Sequence, residues 1–594
     1  MAIGFFSRTK RIDAILASAE ATPHGLKRTL GPVHVTLLGI GAIIGAGIFA
    51  TVGTAAAGDA VRPGAGPSLV LSFAITAVAC AFTALCYAEF ASMVPISGSA
   101  YTYAYATLGE LIAWIIGWDL IIEYAIGNVA VAISWANYFR SLVSGVGELI
   151  HVPLNIPAWL CTDYRTAAAK LPDVIASAPH LFGVPIVVNV VGFAIVALIT
   201  ILLVWGVRES ATVNAWMVVL KIVVLMFFVG VALAFVSPSG MVANWQPFQP
   251  NGWRGTLTGA SVVFFAYIGF DAVSTVAEET RNPRRDLPIG LIGSLAICTL
   301  LYVVVSAAFC GLIPYRELVR RVANEQAEPL TMALEHVAPT AVWPRTVVAF
   351  GSVVAHTAVL LVFQLGQPRI FFSMARDGLL PRAFARVHPR FHTPHVTTIL
   401  TGVAVGTLAA FASIDEMVDL TNIGTLFAFA LVCIGIPILR LREPLADRAF
   451  VVPGGPWLLP ALGVASCMLL AAFLPAASWW RFAGWLMIGL AVYFGYGRSR
   501  SRVAIDSARG ATRTSGWLRI AAVGFLAAAT GLLMLPHDVS PREWWRILAS
   551  AAAPHHARVV RGCVTLLIGM VAAGTGVMIG TREPSTGRAS VARR

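Results

Sequence analysis

The sequence predicts an all-α polytopic membrane protein: two inverted five-helix repeats followed by four further transmembrane helices, fourteen spans in total. Three observations point there. Of 594 residues, 58% are hydrophobic and only 12% charged, too apolar for a soluble domain of ordinary composition. Apolar runs of about twenty residues, the length that crosses a bilayer, recur along the chain. Glycine interrupts two of these runs near mid-depth, at 39–49 and at 269, and irregular backbone persists in hydrocarbon only where it lines a cavity or binds something polar.

The elements follow in order. Residues 1–33 read as a cytoplasmic arm with an amphipathic helix near Ile12–Ala19 lying on the membrane surface, closed by His24-Gly25 and Lys27-Arg28. It has no continuous apolar stretch or cleavage site of the secretory kind. A first five-span repeat occupies 34–236, with spans at 34–57, 67–90, 109–138, 184–206 and 211–236. A second occupies 255–439, with spans at 255–278, 288–313, 344–372, 395–412 and 418–439. Spans eleven and twelve fill 457–497, an Arg-rich cytoplasmic linker 498–517, two extra spans 518–580 and a cytoplasmic tail 581–594. The longest outer loop, about 139–183, is expected to be ordered only in part. Five spans are an odd number, so a second five starts on the opposite face, which makes the repeat inverted.

The first span carries GIGAIIGAGIF at 39–49. Gly39, Gly41, Gly45 and Gly47 each weaken a helix by roughly 1 kcal/mol relative to Ala. Glycines alone favour close helix packing over a ligand site. An inverted repeat predicts a matching break at 255–278, where Gly269 does interrupt the span beside Asp271, and the pair favours a ligand site built from two broken helices.

Composition also excludes. The net charge of +13 would suit a nucleic-acid partner, but the cations sit in short loops beside apolar spans. With a cytoplasmic N-terminus about 27 Lys/Arg fall inside and about 14 outside, as the positive-inside rule expects. Both termini are then cytoplasmic. The eight cysteines show no metal spacing and read as packing residues rather than a disulfide framework. There is no HExxH, GxSxG or Walker A motif, and the inner loops are too short for a nucleotide-binding domain, so neither an enzyme nor an ATP-driven pump is expected. A channel would need a repeated filter or charged ring.

Polar residues at membrane depth narrow the function. The chain has 4 lysines against 38 arginines, so a lysine asks for its own reason. Lys10, Lys27 and Lys170 lie in loops or termini, while Lys221 stands ten residues, about 15 Å, into its span, near the midplane. Burial disfavours its charge, which suits a residue that gains and loses a proton while holding carbonyls of the unwound first span. A permanent ion pair with Asp271, Glu123 or Asp119 is the alternative. Asp119 and Glu123 share one helix face; Glu123 is deep enough to need a partner or cavity. Glu89, with Tyr87, closes the second span and reads as an interfacial carboxylate or a gate. His356 reads as a hydrogen-bonded interior histidine, and Tyr267 as a gate aromatic or plain core.

These residues resemble the amino acid-polyamine-organocation superfamily, in its cationic amino acid transporter branch and bacterial amino acid permease relatives. GIGAIIGAGIF, CYAEFASMVPISGSAYTY (86–103), GWDLIIEY (117–124), FFAYIGFDAVST (264–275), EETRNPRRDLP (278–288), SMARDGLLP (373–381) and NIGTLFAF (422–429) carry the likeness, over about 25–500. It implies an amino acid substrate held at two unwound spans. Backbone N–H groups around Gly45, Ala46 and Gly47 would take its carboxylate, and carbonyls of Ile43, Phe265, Ala266 and Ile268 its amino group. Glu123 would line the site and Lys221 would couple a proton, with no other cofactor. Position 46 is Ala where some relatives have Ser or Thr. The expectation is a plasma-membrane (bacterial inner-membrane) importer of cationic or small neutral L-amino acids working by proton symport. A proton-independent exchanger and an amino acid sensor are the alternatives. The functional unit is expected to be a monomer, with an accessory single-span subunit as an option.

Overall fold

The computed structural model describes Thr9 and residues 30–59, 61–94, 99–206, 211–323, 328–502, 516–535 and 556–580. The expected arm helix at Ile12–Ala19, the tail at 581–594 and most of the Arg-rich linker lie outside the described residues.

All fourteen apolar segments form helix. The first span is α1 (Pro32–Ile43) and α2 (Val52–Ala57), joined through a π turn at Gly47–Thr51; the second is α3 (Leu69–Met93). The third is α4 (Glu110–Ile121) and α5 (Gly127–Leu149) on either side of a π turn at Ile122–Ile126. Two short helices follow, α6 (Tyr164–Lys170) and α7 (Pro172–Ser177), then α8 (Val190–Val204) and α9 (Ala211–Phe235). The second set comprises α10 (Gly252–Val263) with its broken continuation to Glu279, α11 (Pro283–Leu312), α12 (Val342–Arg376), α13 (His395–Phe411) and α14 (Ile414–Arg442). Last come α15 (Leu458–Ala472), α16 (Ala476–Val492), α17 (Gly516–Met534) and α18 (His556–Gly580).

Ten of the described helices are long and apolar enough to cross a membrane. The segments expected at 184–206 and 395–412 give helices of 15 and 17 residues, or about 22–26 Å, short of a full hydrocarbon core without help from their flanks. The segments at 457–475 and 479–497 form a pair bent by 116°. The chain is a multi-pass membrane protein, and exposed Leu, Ile, Val and Trp on α9, α11 and α18 face outward as lipid-contacting side chains do.

Local rules explain several ends. Pro32 starts α1, where its missing N–H costs nothing. Gly58 ends α2 at φ +83°, a conformation that favours glycine. Asp163 caps α6 by accepting from Thr166 N at 2.9 Å, and Asn189 caps α8 by accepting from Gly192 N at 2.8 Å. The long loop at 139–183 corrects the sequence expectation, because most of it is built into helices and a hairpin. Helix α5 runs on to Leu149, and α6, α7 and a hairpin (His180–Leu181 with Val184–Pro185) close around Ala167, Val174, Ala178 and Val187. Those apolar residues are too sparse to stand out in a polar stretch.

The two broken spans lie antiparallel and are tied at both ends. At one end, Leu30 N donates to Glu279 O at 3.0 Å and Arg281 N to Leu30 O at 2.8 Å. At the other end, Asn251 Nδ2 donates to Gly64 O at 2.8 Å. Between these ties the helices cross at their breaks.

Candidate functional site

The first break is at Ile44–Gly45. Ile44 is extended (φ −76°, ψ 103°), and helical geometry resumes at Ala46. The N–H groups of the new first turn, Ala46 to Ile48, therefore point back into the break, at the positive end of a half-helix. Opposite, the last carbonyls of α1 point in from the other side. Two of them have side-chain donors. Tyr302 Oη donates to Ile43 O at 3.0 Å, and Lys221 Nζ donates to Gly41 O at 2.7 Å.

The second break is a 3-10 turn at Phe264–Tyr267, then extended Ile268 (φ −61°, ψ 136°) and left-handed Gly269 (φ +110°). Ile268 N donates to Phe265 O at 3.3 Å. The breaks touch through glycine: a Cβ on Gly47 would stand 2.1 Å from Ala266 Cα, and one on Gly269 would stand 2.9 Å from Ala42 O. Those distances are well inside carbon contact. The glycines thus let one backbone rest on another, and the close packing of small residues and the unwound backbone occur at one place. Asn422 of α14 supports the second break from outside, its Nδ2 donating to Ser261 O at 2.8 Å and Val262 O at 3.3 Å.

Glu123 lies in the π turn of the third span, a distortion that recurs at functional sites. It is buried, interacts with Asp271 across the site and has Asp119 nearby. Among the described residues no hydrogen bond of good geometry reaches the carboxyl oxygens of Glu123, Asp271 or Asp119, while Glu123 and Asp271 stand close enough to share a proton. Buried polar groups normally have a donor, and facing carboxylates in a dry interior repel; a cation or a proton between them relieves both problems. Tyr87, whose hydroxyl is also buried, faces the same pair.

Several readings meet their geometry here. Lys221 is fully buried and holds a carbonyl of the broken first span, and none of the three carboxyls takes a hydrogen bond from it. His356 is a hydrogen-bonded interior histidine: Nε2 meets Ser134 Oγ at 2.8 Å and Nδ1 meets Ser352 O at 2.7 Å. Tyr267, the candidate gate, is buried and donates to Phe73 O at 3.0 Å. All eight cysteines are free, seven of them buried. Glu89 departs from the interfacial reading. It is fully buried, takes Arg440 Nε at 2.8 Å and Nη2 at 2.5 Å, and accepts from Val452 N at 2.8 Å. The end of α14 and the chain after it fold over it, a contact between positions 351 apart.

Three participants escaped sequence reading: Tyr302, Asn422 and the π turn around Glu123; Tyr87 was read only as a neighbour of Glu89. A mid-span tyrosine or asparagine looks the same whether it packs or clamps a carbonyl. The only trace of Asn422 was its place in NIGTLFAF.

An amino acid permease family model matches residues 30–495. The chain belongs to that family. Among known proteins it is similar to the branched-chain amino acid permease BcaP of Bacillus subtilis, 44% identical over 84% of this chain and 99% of that protein. It is similar also to the methylthioribose transporter of the same bacterium, 41% identical over 83% of this chain and 98% of the other. The vacuolar cationic amino acid transporter 4 of Arabidopsis thaliana is 37% identical over 74% of this chain and 67% of that protein. These relatives are permeases and transporters, not enzymes, and the likeness to the superfamily and its cationic branch stands.

Proposed function

We propose that this permease imports L-amino acids by proton-coupled symport with alternating access, through an inverted pair of five-span repeats and fourteen spans in all, with both termini in the cytoplasm. The observation that carries the reading is Lys221 Nζ on Gly41 O at 2.7 Å, a fully buried ammonium holding the inner half of a broken span. The substrate carboxylate would lie against the N–H groups of Gly45, Ala46 and Gly47. Its amino group would lie towards the carbonyls of Ile43, Phe265, Ala266 and Ile268, with Glu123 lining the site. Protonated Lys221 makes a charge-assisted bond; without the proton that bond weakens, the inner half-helix is released, and substrate and proton leave inward.

The substrate range is tested by thermal shift on the purified protein. A ligand at 100 times its Kd stabilises by about 2.7 kcal/mol. Branched-chain and cationic amino acids and methylthioribose belong in the panel, since relatives are named for each. Stabilisation by one or more amino acids is expected, and stabilisation by methylthioribose alone would refute the amino acid reading. Binding with no counterflow in proteoliposomes would favour a sensor, and uptake that needs internal substrate but no gradient would favour an exchanger.

A further inference from the structure

A second polar hollow lies outward of the crossing breaks. It is lined by Thr51 and Thr54 of the first span, Arg62 just beyond it, Asn137 of α5, Thr166 and Lys170 of α6, and Asp415 of α14, with a partly open volume of about 50 Å³. On that measure a single water needs about 10–15 Å³, so the hollow has room for an ammonium group with space to spare towards its mouth. The floor connects to the central break, because Thr51 Oγ1 donates to Gly47 O at 2.6 Å.

The wall chemistry is that of a cation acceptor. Asn137 is 3% exposed. Its Nδ2 is spent on Ile133 O at 3.2 Å, while its buried Oδ1 accepts from none of the described residues. Asp415 holds Lys170 Nζ at 3.1 Å and Thr54 Oγ1 at 3.3 Å. The Lys170–Asp415 pair is about 30% exposed on both sides, the weakly held class of ion pair, so another ammonium can replace the lysine. The neighbouring Arg62–Asp419 pair, at 2.6 Å and 7–8% exposed, is fixed by comparison. Among the described residues no group of three His, Cys, Asp or Glu side chains could hold a metal ion, and the Lys170 ammonium already seated on Asp415 shows the kind of cation this wall takes.

We propose that this hollow is an outer binding site for the α-ammonium group of an incoming amino acid. Asp415 and Asn137 Oδ1 accept from it, the displaced Lys170 turns to the substrate carboxylate, and the side chain projects outward unread. The inference rests on the amino acid transport reading. It predicts recognition of the amino group without regard to side chain, upstream of the selective break.

Equilibrium binding of a labelled mixture of the twenty L-amino acids to the full chain in nanodiscs tests it. Two molecules per chain are expected, falling to one in Asn137→Leu and in Thr166→Trp, which fills the hollow from the outer loop should the first variant fail to fold. Amino acid methyl esters should displace the outer molecule, and N-acetyl amino acids should not. One molecule per chain, unaffected by either variant, would overturn the outer site and leave the transport reading standing. No binding at all would overturn both.

Discussion

Gly47→Ala is the sharpest perturbation of the crossing. The added Cβ would meet Ala266 Cα at 2.1 Å and Ala266 N at 2.8 Å, both backbone atoms. Carbon contacts settle near 3.5 Å or more, so the two breaks must part by about 1.4 Å, and no side chain can rotate away to absorb it. Overpacking of this kind costs about 1–3 kcal/mol, and a misplacement of about 1 Å in a positioned group costs on the order of 100-fold in function. Substrate affinity should therefore fall by about 100-fold, read as loss of thermal stabilisation by a saturating amino acid and loss of uptake in proteoliposomes. Gly230→Ala on α9 is the control. Its Cβ would meet nothing within 4 Å, so the change should leave uptake intact and, as a Gly-to-Ala step in a helix, favour the fold by up to about 1 kcal/mol. If Gly47→Ala transports as well as Gly230→Ala, the backbone crossing is not where substrate binds.

Three further outcomes follow from particular contacts. Lys221→Met removes a charge-assisted bond to Gly41 O, worth about 1.5–3 kcal/mol, and should make uptake independent of external pH. Glu89→Ala takes a buried carboxylate away from Arg440 and Val452 N, and since Arg440 is itself part-exposed the loss is that of a charged hydrogen bond, about 1.5–3 kcal/mol; a melting temperature equal to wild type would show the ion pair to be inessential. Glu328, in the connection between α11 and α12 just before Pro329, has its carboxyl pushed up to about 7 because burial outweighs the attraction of Arg140. A raised carboxyl binds its proton more tightly in the folded state, so its contribution falls as pH rises from about 4.5 to 7. Glu328→Gln should accordingly gain thermal stability relative to wild type on going from pH 5 to pH 8, and an unchanged difference would contradict the assignment.

Both breaks were legible because glycine at bilayer depth has few uses, and an inverted repeat says where the second must lie. Lys221 was legible because the chain otherwise chooses arginine. Contacts made by ordinary residues were not. Tyr302 reaches Ile43 O from 259 positions away, and Glu89 meets Arg440 across 351, distances over which no local pattern speaks. The π turn at Ile122–Ile126 leaves no mark in the apolar periodicity of GWDLIIEY, since one extra residue per turn within a wholly buried segment exposes nothing polar. The outer loop was misjudged for the opposite reason: its small core of Ala and Val is hidden among polar residues.

The central claim is that a proton held at Lys221 drives amino acid entry. Uptake of a labelled amino acid identified by thermal shift, into proteoliposomes with the outside more acidic than the lumen, tests it directly. Wild type should accumulate substrate above equilibrium and lose that accumulation when a protonophore collapses the gradient, while Lys221→Met should equilibrate substrate without concentrating it. Undiminished, gradient-dependent accumulation in Lys221→Met would contradict the account.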